Sequence, residues 1–209
     1  MSDRVPSSVV YDVMKAHGME HCVLPASIRG LGAHHYALGP AFTIAGHEDN
    51  SLSAHDSLLR WSELLSRVPP ETVAVCQPNT HAIALMGELS ARALAVKGVR
   101  GYLVDGACRD GDLVEESGLP VFCTNLTPCD IVARWTWTTL GEPVVIGGVT
   151  ISESDLIVAD RDGIVVVPRI MADDILAEAG AILETESEMR HAILSGMDPK
   201  EAYLKYGKF

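Results

Sequence analysis

Arg109 and Asp110 close the stretch GYLVDGACRD, residues Gly101 to Asp110. Tyr102, Leu103 and Val104 read as a buried strand, and Asp105-Gly106 reads as the turn that ends it. An arginine carries a planar fork of donors that matches a carboxylate. The aspartate beside it carries a hard oxygen of the kind Mg²⁺ or Mn²⁺ prefers. Side by side after a strand, the two can form an anion site next to a metal site. A solvated surface turn is the other reading of the same ten residues.

Two further groups can join that chemistry. In Gly87-Glu88-Leu89-Ser90 a glycine precedes a helix. The first N–H groups of a helix have no partner within it, and the helix dipole favours an anion there. A carboxylate can sit on these amides while Arg109 holds it from the next strand's end, since both segments follow neighbouring strands of an α/β sheet. An ordinary helix start, with Glu88 present for the dipole, is the alternative. In the last helix Ile175, Ala179, Ile182, Met189 and Ile193 recur at steps of three and four, and Glu186 falls on their face. A carboxylate on a packing face needs a cation, a metal or a neighbouring subunit as partner, unless it snorkels from the edge.

Other residues offer less. His34, His35 and His81 lack metal-ligand spacing. Cys108 adjoins Arg109, so it is either a thiol with lowered pKa or a small core residue. No P-loop, G-x-S-x-G, G-x-G-x-x-G or H-E-x-x-H occurs in the sequence. No lysine lies near the two anion-binding segments, which argues against a Schiff base. Carbon–carbon chemistry here would need a metal to hold an enolate.

The elements that must position these groups alternate. Helices are expected over residues 7–17, with Ser7 or Ser8 as cap, then 55–66, 88–97 and up to Ser117. Strands are expected at 41–45, 72–76, 101–104 and 120–124, with a polar loop over 47–53. This β-α-β alternation implies a partly parallel sheet. Residues 143–168 are β-rich, with Gly147-Gly148 and Asp162-Gly163 as hairpin signals. The chain is expected to end in a long helix from about 172 to 195.

The chain has 209 residues, 47% apolar and 21% charged. That is enough for one full core. The net charge is −12, from 16 Lys+Arg against 28 Asp+Glu. A non-specific nucleic-acid binder normally carries the opposite balance. Five cysteines without a C-x-x-C pair fit reduced thiols. With no apolar signal core and no run of the roughly 18–20 apolar residues a span needs, the expected location is the cytoplasm.

GELSARALAVKGVRGYLVDGACRD resembles the signature of the RraA-like family. That family holds 4-hydroxy-4-methyl-2-oxoglutarate and 4-carboxy-4-hydroxy-2-oxoadipate aldolases and regulators of ribonuclease E activity. Like segments occur at Gly39 to Thr43, Glu48-Asp49-Asn50, Asp160 to Pro168, and Glu201-Ala202-Tyr203 through Gly207. The resemblance implies a single α/β domain over 1–209, layered α-β-β-α with a mixed sheet, assembled as a homotrimer or homohexamer with active sites between subunits. It implies that Gly87, Glu88, Leu89 and Ser90 bind the substrate carboxylate with Arg109, and that Asp110 ligates a divalent metal, Mg²⁺ or Mn²⁺. It implies that Glu88 supports that metal through water. Glu186, with Glu188 close by, is the choice for a C-terminal carboxylate from a neighbouring subunit. Arg109 and Asp110 are the implied catalytic residues.

The implied activity is metal-dependent cleavage of 4-hydroxy-2-oxo acids to pyruvate through a metal-stabilised enolate, with oxaloacetate decarboxylation as a side activity. A non-catalytic regulator of ribonuclease E, or a lyase or decarboxylase for a sugar-derived oxo acid, are the alternatives. Three departures border the implied pocket: Met86 where many members have Trp, Ser90 in place of an apolar residue, and the stretch around His81. They bear on the substrate rather than on the chemistry.

Overall fold

A computed structural model of the chain describes residues 4–207. Its strands are β1 (Arg29–Gly30), β2 (Ala37–Glu48), β3 (Val73–Gln77), β4 (Gly101–Val104), β5 (Ala107–Cys108), β6 (Val121–Cys123), β7 (Asn125–Leu126), β8 (Trp135–Leu140), β9 (Val144–Ile146), β10 (Val149–Ile151), β11 (Leu156–Ala159) and β12 (Ile164–Val167). The helices are α1 (Ser7–Ala16), α2 (Ala54–Arg67), α3 (Glu88–Val96), α4 (Gly111–Glu116), α5 (Ala172–Leu194) and α6 (Pro199–Tyr206).

The main sheet runs β1-β6-β4-β3-β2-β11-β12, with β8 also on β2. Strands β2, β3, β4 and β6 are parallel neighbours, as the β-α-β alternation implies. The long β2 joins two sub-sheets. Its first residues pair antiparallel with β11 and its last with β8.

Side-chain alternation along the strands explains the layers. Ala74, Cys76, Tyr102 and Val104 point into one cluster with Leu64, Ala91 and Leu94 of α2 and α3. Val73, Val75 and Leu103 point into a second cluster with Ile146, Ile151, Ile157 and Val166 of the later strands. Val158, Val165 and Val167, from the opposite face of β11 and β12, meet Val10 and Met14 of α1 and Ile175 and Ala179 of α5. Three cores thus separate four layers in the order α-β-β-α. Strands buried on both faces need continuous apolar sequence, which is why VAVC, GYLV and IVVV carry no polar alternation.

Gly147 and Gly148 both have positive φ, 58° and 83°, the geometry a two-residue hairpin demands, and they link β9 to β10. Asp162-Gly163 lies in the β11–β12 hairpin as expected.

Three local expectations need correction. Neither Ser7 nor Ser8 caps α1. Pro6 is the cap residue, and Ser7 donates from its amide (2.7 Å) and its hydroxyl (2.6 Å) to the carboxylate of Asp160, so a distant aspartate does the capping. The polar loop expected from residue 47 begins two residues later, because β2 continues to Glu48 against β8. Asp105-Gly106 does end β4, as expected, and the chain resumes as β5 on β7. The long helix is followed after Leu194 by a second one, α6, capped by Asp198.

Candidate active site

The C-terminal ends of β3 and β4 lead into the two segments singled out by their chemistry. After β3 the chain runs to Gly87, the cap residue of α3, which offers no side-chain cap. After β4 and β5 it reaches Arg109 and Asp110, just before α4. The amide of Arg109 donates to the carbonyl of Met86 at 2.8 Å, fixing one segment against the other.

Asp110 Oδ2 accepts from the amide of Glu88 at 3.2 Å. The same oxygen lies 3.4 Å from Arg109 Nε. Asp110 has φ 55° and ψ 41°, a left-handed conformation unusual outside glycine and tolerated best by Asp and Asn. Such a backbone persists where its surroundings fix it, and it concentrates at functional sites. Asp110 thereby occupies the first of the amides expected to be open at the start of α3. Helix geometry leaves those of Leu89 and Ser90 for a ligand.

Gly87 is required by closeness, not by turn geometry. A Cβ there would stand 2.8 Å from Asp110 Oδ2 and 3.1 Å from Arg109 Nε. Gly106 is required for the same reason deeper in the fold, where a Cβ would meet Pro78 at 2.8 Å and the Thr80 carbonyl at 2.9 Å.

Gly87, Arg109 and Asp110 line one open cleft of about 280 Å³. Gly87, Glu88, Leu89, Ser90, Arg109 and Asp110 all contribute to it, so six of the candidate site residues come together in one chain. The cleft also contains residues that sequence reasoning missed. Asp130 lines it and places Oδ2 3.6 Å from Arg109 Nη1, so the guanidinium lies between two carboxylates. Leu58, Trp61, Ser62 and Leu65 of α2 form a wall, and Ile131 and Val132 stand near Asp130. Trp61 donates its indole N–H to Ser90 Oγ at 2.9 Å and packs edge-on to Trp135. The sequence reading expects a helix here, but no motif marks its face as a pocket wall. Asp130 lies in a stretch without a motif.

Glu186 is not part of this cleft in the single chain. It is half-buried and lines a separate groove with Met189, Arg190, Ile193 and Leu194, while Glu188 is exposed. His81 pairs with Asp105, Nε2 to Oδ1 at 3.1 Å, outside the cleft lining. Cys108 is a core residue. Its thiol is pushed well up, first by a hydrogen bond with the Cys123 sulfur and then by burial, so the reading of a lowered pKa fails.

The donor set bears on which metal could bind. Glu88 Oε1 accepts from Arg92 Nε at 2.9 Å, which turns that carboxylate along the helix. Among the described residues no three His, Cys, Asp or Glu side chains gather as ligands. Asp110, with Oδ2 engaged, offers its other oxygen. One hard oxygen beside an open cleft suits Mg²⁺ or Mn²⁺, which keep several waters, and does not suit Zn²⁺, which needs three or four protein ligands.

Known proteins share this chain's pattern. The family model described as RraA-like, Aldolase/RraA, matches residues 7–166. Protein DlpA of Legionella pneumophila is 29% identical over 203 residues; the match covers 96% of this chain but only 32% of DlpA, so the chain spans about a third of that relative's length. A Halalkalibacterium halodurans protein named "Putative 4-hydroxy-4-methyl-2-oxoglutarate aldolase" is 25% identical, covering 96% of this chain and 90% of its own length. The crystal structure of Streptomyces coelicolor RraAS2, described as an unusual member of the RNase ES inhibitor RraA protein family, superposes with a TM-score of 0.77 at 29% identity. It covers 90% of this chain and 93% of its own.

Proposed function

The chain belongs to the RraA-like family, and from that premise we propose that it is a lyase that splits 4-hydroxy-2-oxo acids between C3 and C4 and releases pyruvate. The observation that carries the reading is the single cleft in which Arg109, Asp110 and the open amides of α3 converge. The aldolase name on the Halalkalibacterium relative supports the same reaction class.

The residues divide the work. The amides of Leu89 and Ser90 and the guanidinium of Arg109 would bind the substrate's C1 carboxylate, by N–H donation and by charge. Asp110 would hold Mg²⁺ or Mn²⁺, which when bound supplies Lewis acidity to the 2-oxo group. Glu88, through its amide, keeps the Asp110 carboxylate in place. Loss of the 4-hydroxyl proton to water in the open cleft starts the cleavage. The C3–C4 electron pair then moves to C3 and the 2-oxo oxygen, a carbonyl forms at C4, and pyruvate enolate remains. Arg109 faces that growing negative charge, and preorganised charge of this kind is the largest single contribution in many enzymes. A proton taken up at C3 completes pyruvate.

Oxaloacetate tests the enolate-forming step alone, because loss of CO₂ leaves the same enolate. Pyruvate release above the metal-only rate, lost with EDTA and in Asp110→Ala, supports the reading. Release equal to the metal-only rate contradicts it. The likeness to RraAS2 favours a second reading, a non-catalytic regulator of a ribonuclease. On that reading no oxo acid turns over, and Asp110→Ala changes nothing in the assay.

A further inference from the structure

Resting on the lyase reading, we infer that this cleft takes 2-oxo acids whose far end is uncharged and apolar, not a second carboxylate. Arg109 is the only Lys, Arg or His among the described residues lining the cleft, against three carboxylates, Glu88, Asp110 and Asp130. Arg109 already lies between two of them. The ion that Asp110 would hold adds positive charge, but Asp110, Asp130 and the substrate's C1 carboxylate together balance that ion and Arg109, while Glu88 is taken up by Arg92. A second carboxylate would enter a site whose charges are already balanced and find no cation to pair with.

The rest of the lining is of the opposite character. Leu58, Trp61, Leu65, Ile131 and Val132 offer hydrocarbon. The one polar atom of Trp61 is committed to Ser90 Oγ, so the indole presents its apolar ring and is held rigid. Ser90 is also one of the residues whose amide is open for the C1 carboxylate. The hydrogen bond therefore sets the distance between the head-group site and the apolar wall. A small alkyl or aryl group beyond C4 would bury its surface there without leaving any group unpaired.

Two 2-oxo acids that lack a 4-hydroxyl, and so cannot undergo the cleavage, isolate this preference. They are 4-methyl-2-oxopentanoate, with a branched alkyl end, and 2-oxoglutarate, with a carboxylate end. Each is titrated into the full chain with Mg²⁺, and binding is read from tryptophan fluorescence, to which Trp61 contributes. The alkyl acid should bind at least about tenfold tighter, the discrimination that one or two buried methylenes give. Leu58→Lys, which adds a cation at an exposed point of the wall, should cut that ratio about tenfold or more in favour of 2-oxoglutarate. Equal or tighter binding of 2-oxoglutarate by the unaltered chain overturns the inference. If pyruvate is still released from a 4-hydroxy-2-oxo acid, only the inference falls. If neither acid binds and no 4-hydroxy-2-oxo acid yields pyruvate, the lyase reading falls and the inference with it.

Discussion

Asp110 Oδ2 accepts the backbone amide of Glu88 at 3.2 Å. Through this bond the end of one parallel strand is locked to the first turn of the helix that follows its neighbour. The contact brings the open amides of α3, the guanidinium and the hard oxygen into one cleft.

Asp110→Asn keeps the shape, the acceptor for Glu88 and the tolerance for left-handed backbone, and removes the charge. It should leave the thermal unfolding midpoint nearly unchanged and lower metal-dependent pyruvate release by about 100-fold or more, the scale at which placed charge acts in active sites. Turnover at the unaltered rate, measured by a coupled pyruvate assay, would detach Asp110 from the chemistry.

Gly87→Ala adds one methyl group 2.8 Å from Asp110 Oδ2. The backbone at Gly87 has φ −144°, which alanine adopts freely, so folding should be unaffected. The carboxylate and guanidinium must shift by a few tenths of an ångström. A drop of about 10- to 100-fold in kcat/KM is expected, because misplacement by about 1 Å can cost 100-fold.

Ser90→Ala removes the acceptor of the Trp61 indole, which is only 8% exposed. A buried donor left unpaired costs about 1–3 kcal/mol, to be read from the urea midpoint. Trp61→Phe in the same background should recover some of that loss, since no donor remains to be satisfied.

Thiol titration tests the core. Cys129 is exposed, whereas Cys22, Cys76, Cys108 and Cys123 are buried. A disulfide reagent at pH 8 should therefore label one thiol quickly in the native protein and all five after denaturation. Burial pushes the Cys76 thiol up to about 12, so the folded state holds its proton where an unfolded thiol, with its ordinary value of 9.0, gives it up. The sign follows: this contribution to stability is complete below pH 9 and is lost as pH rises through the window from 9 to about 12.

The layers and most elements are legible from the residues alone. VAVC, GYLV and IVVV state their double burial by lacking alternation, and Gly147-Gly148 states its turn. Arg109 and Asp110 stand out by type and adjacency, and the fold places both in the cleft. The α2 wall and Asp130 do not, because a leucine facing a cleft and a leucine facing a core have the same spacing. Only the fold brings α2 beside Ser90. Capping of α1 by Asp160 is equally hidden, since partners 153 residues apart leave no local pattern. The intersubunit role read for Glu186 concerns a neighbouring chain, and the groove it lines is separate from the cleft.

The most direct measurement of the central claim is pyruvate release from a 4-hydroxy-2-oxo acid, 4-hydroxy-2-oxopentanoate, by the unaltered chain and by Arg109→Ala, each with Mn²⁺ and with EDTA. The lyase reading predicts stoichiometric pyruvate and acetaldehyde from the unaltered chain with Mn²⁺, none with EDTA, and a loss of about 100- to 1,000-fold in kcat/KM for Arg109→Ala. Release that survives EDTA, or that is unchanged in Arg109→Ala, would contradict it.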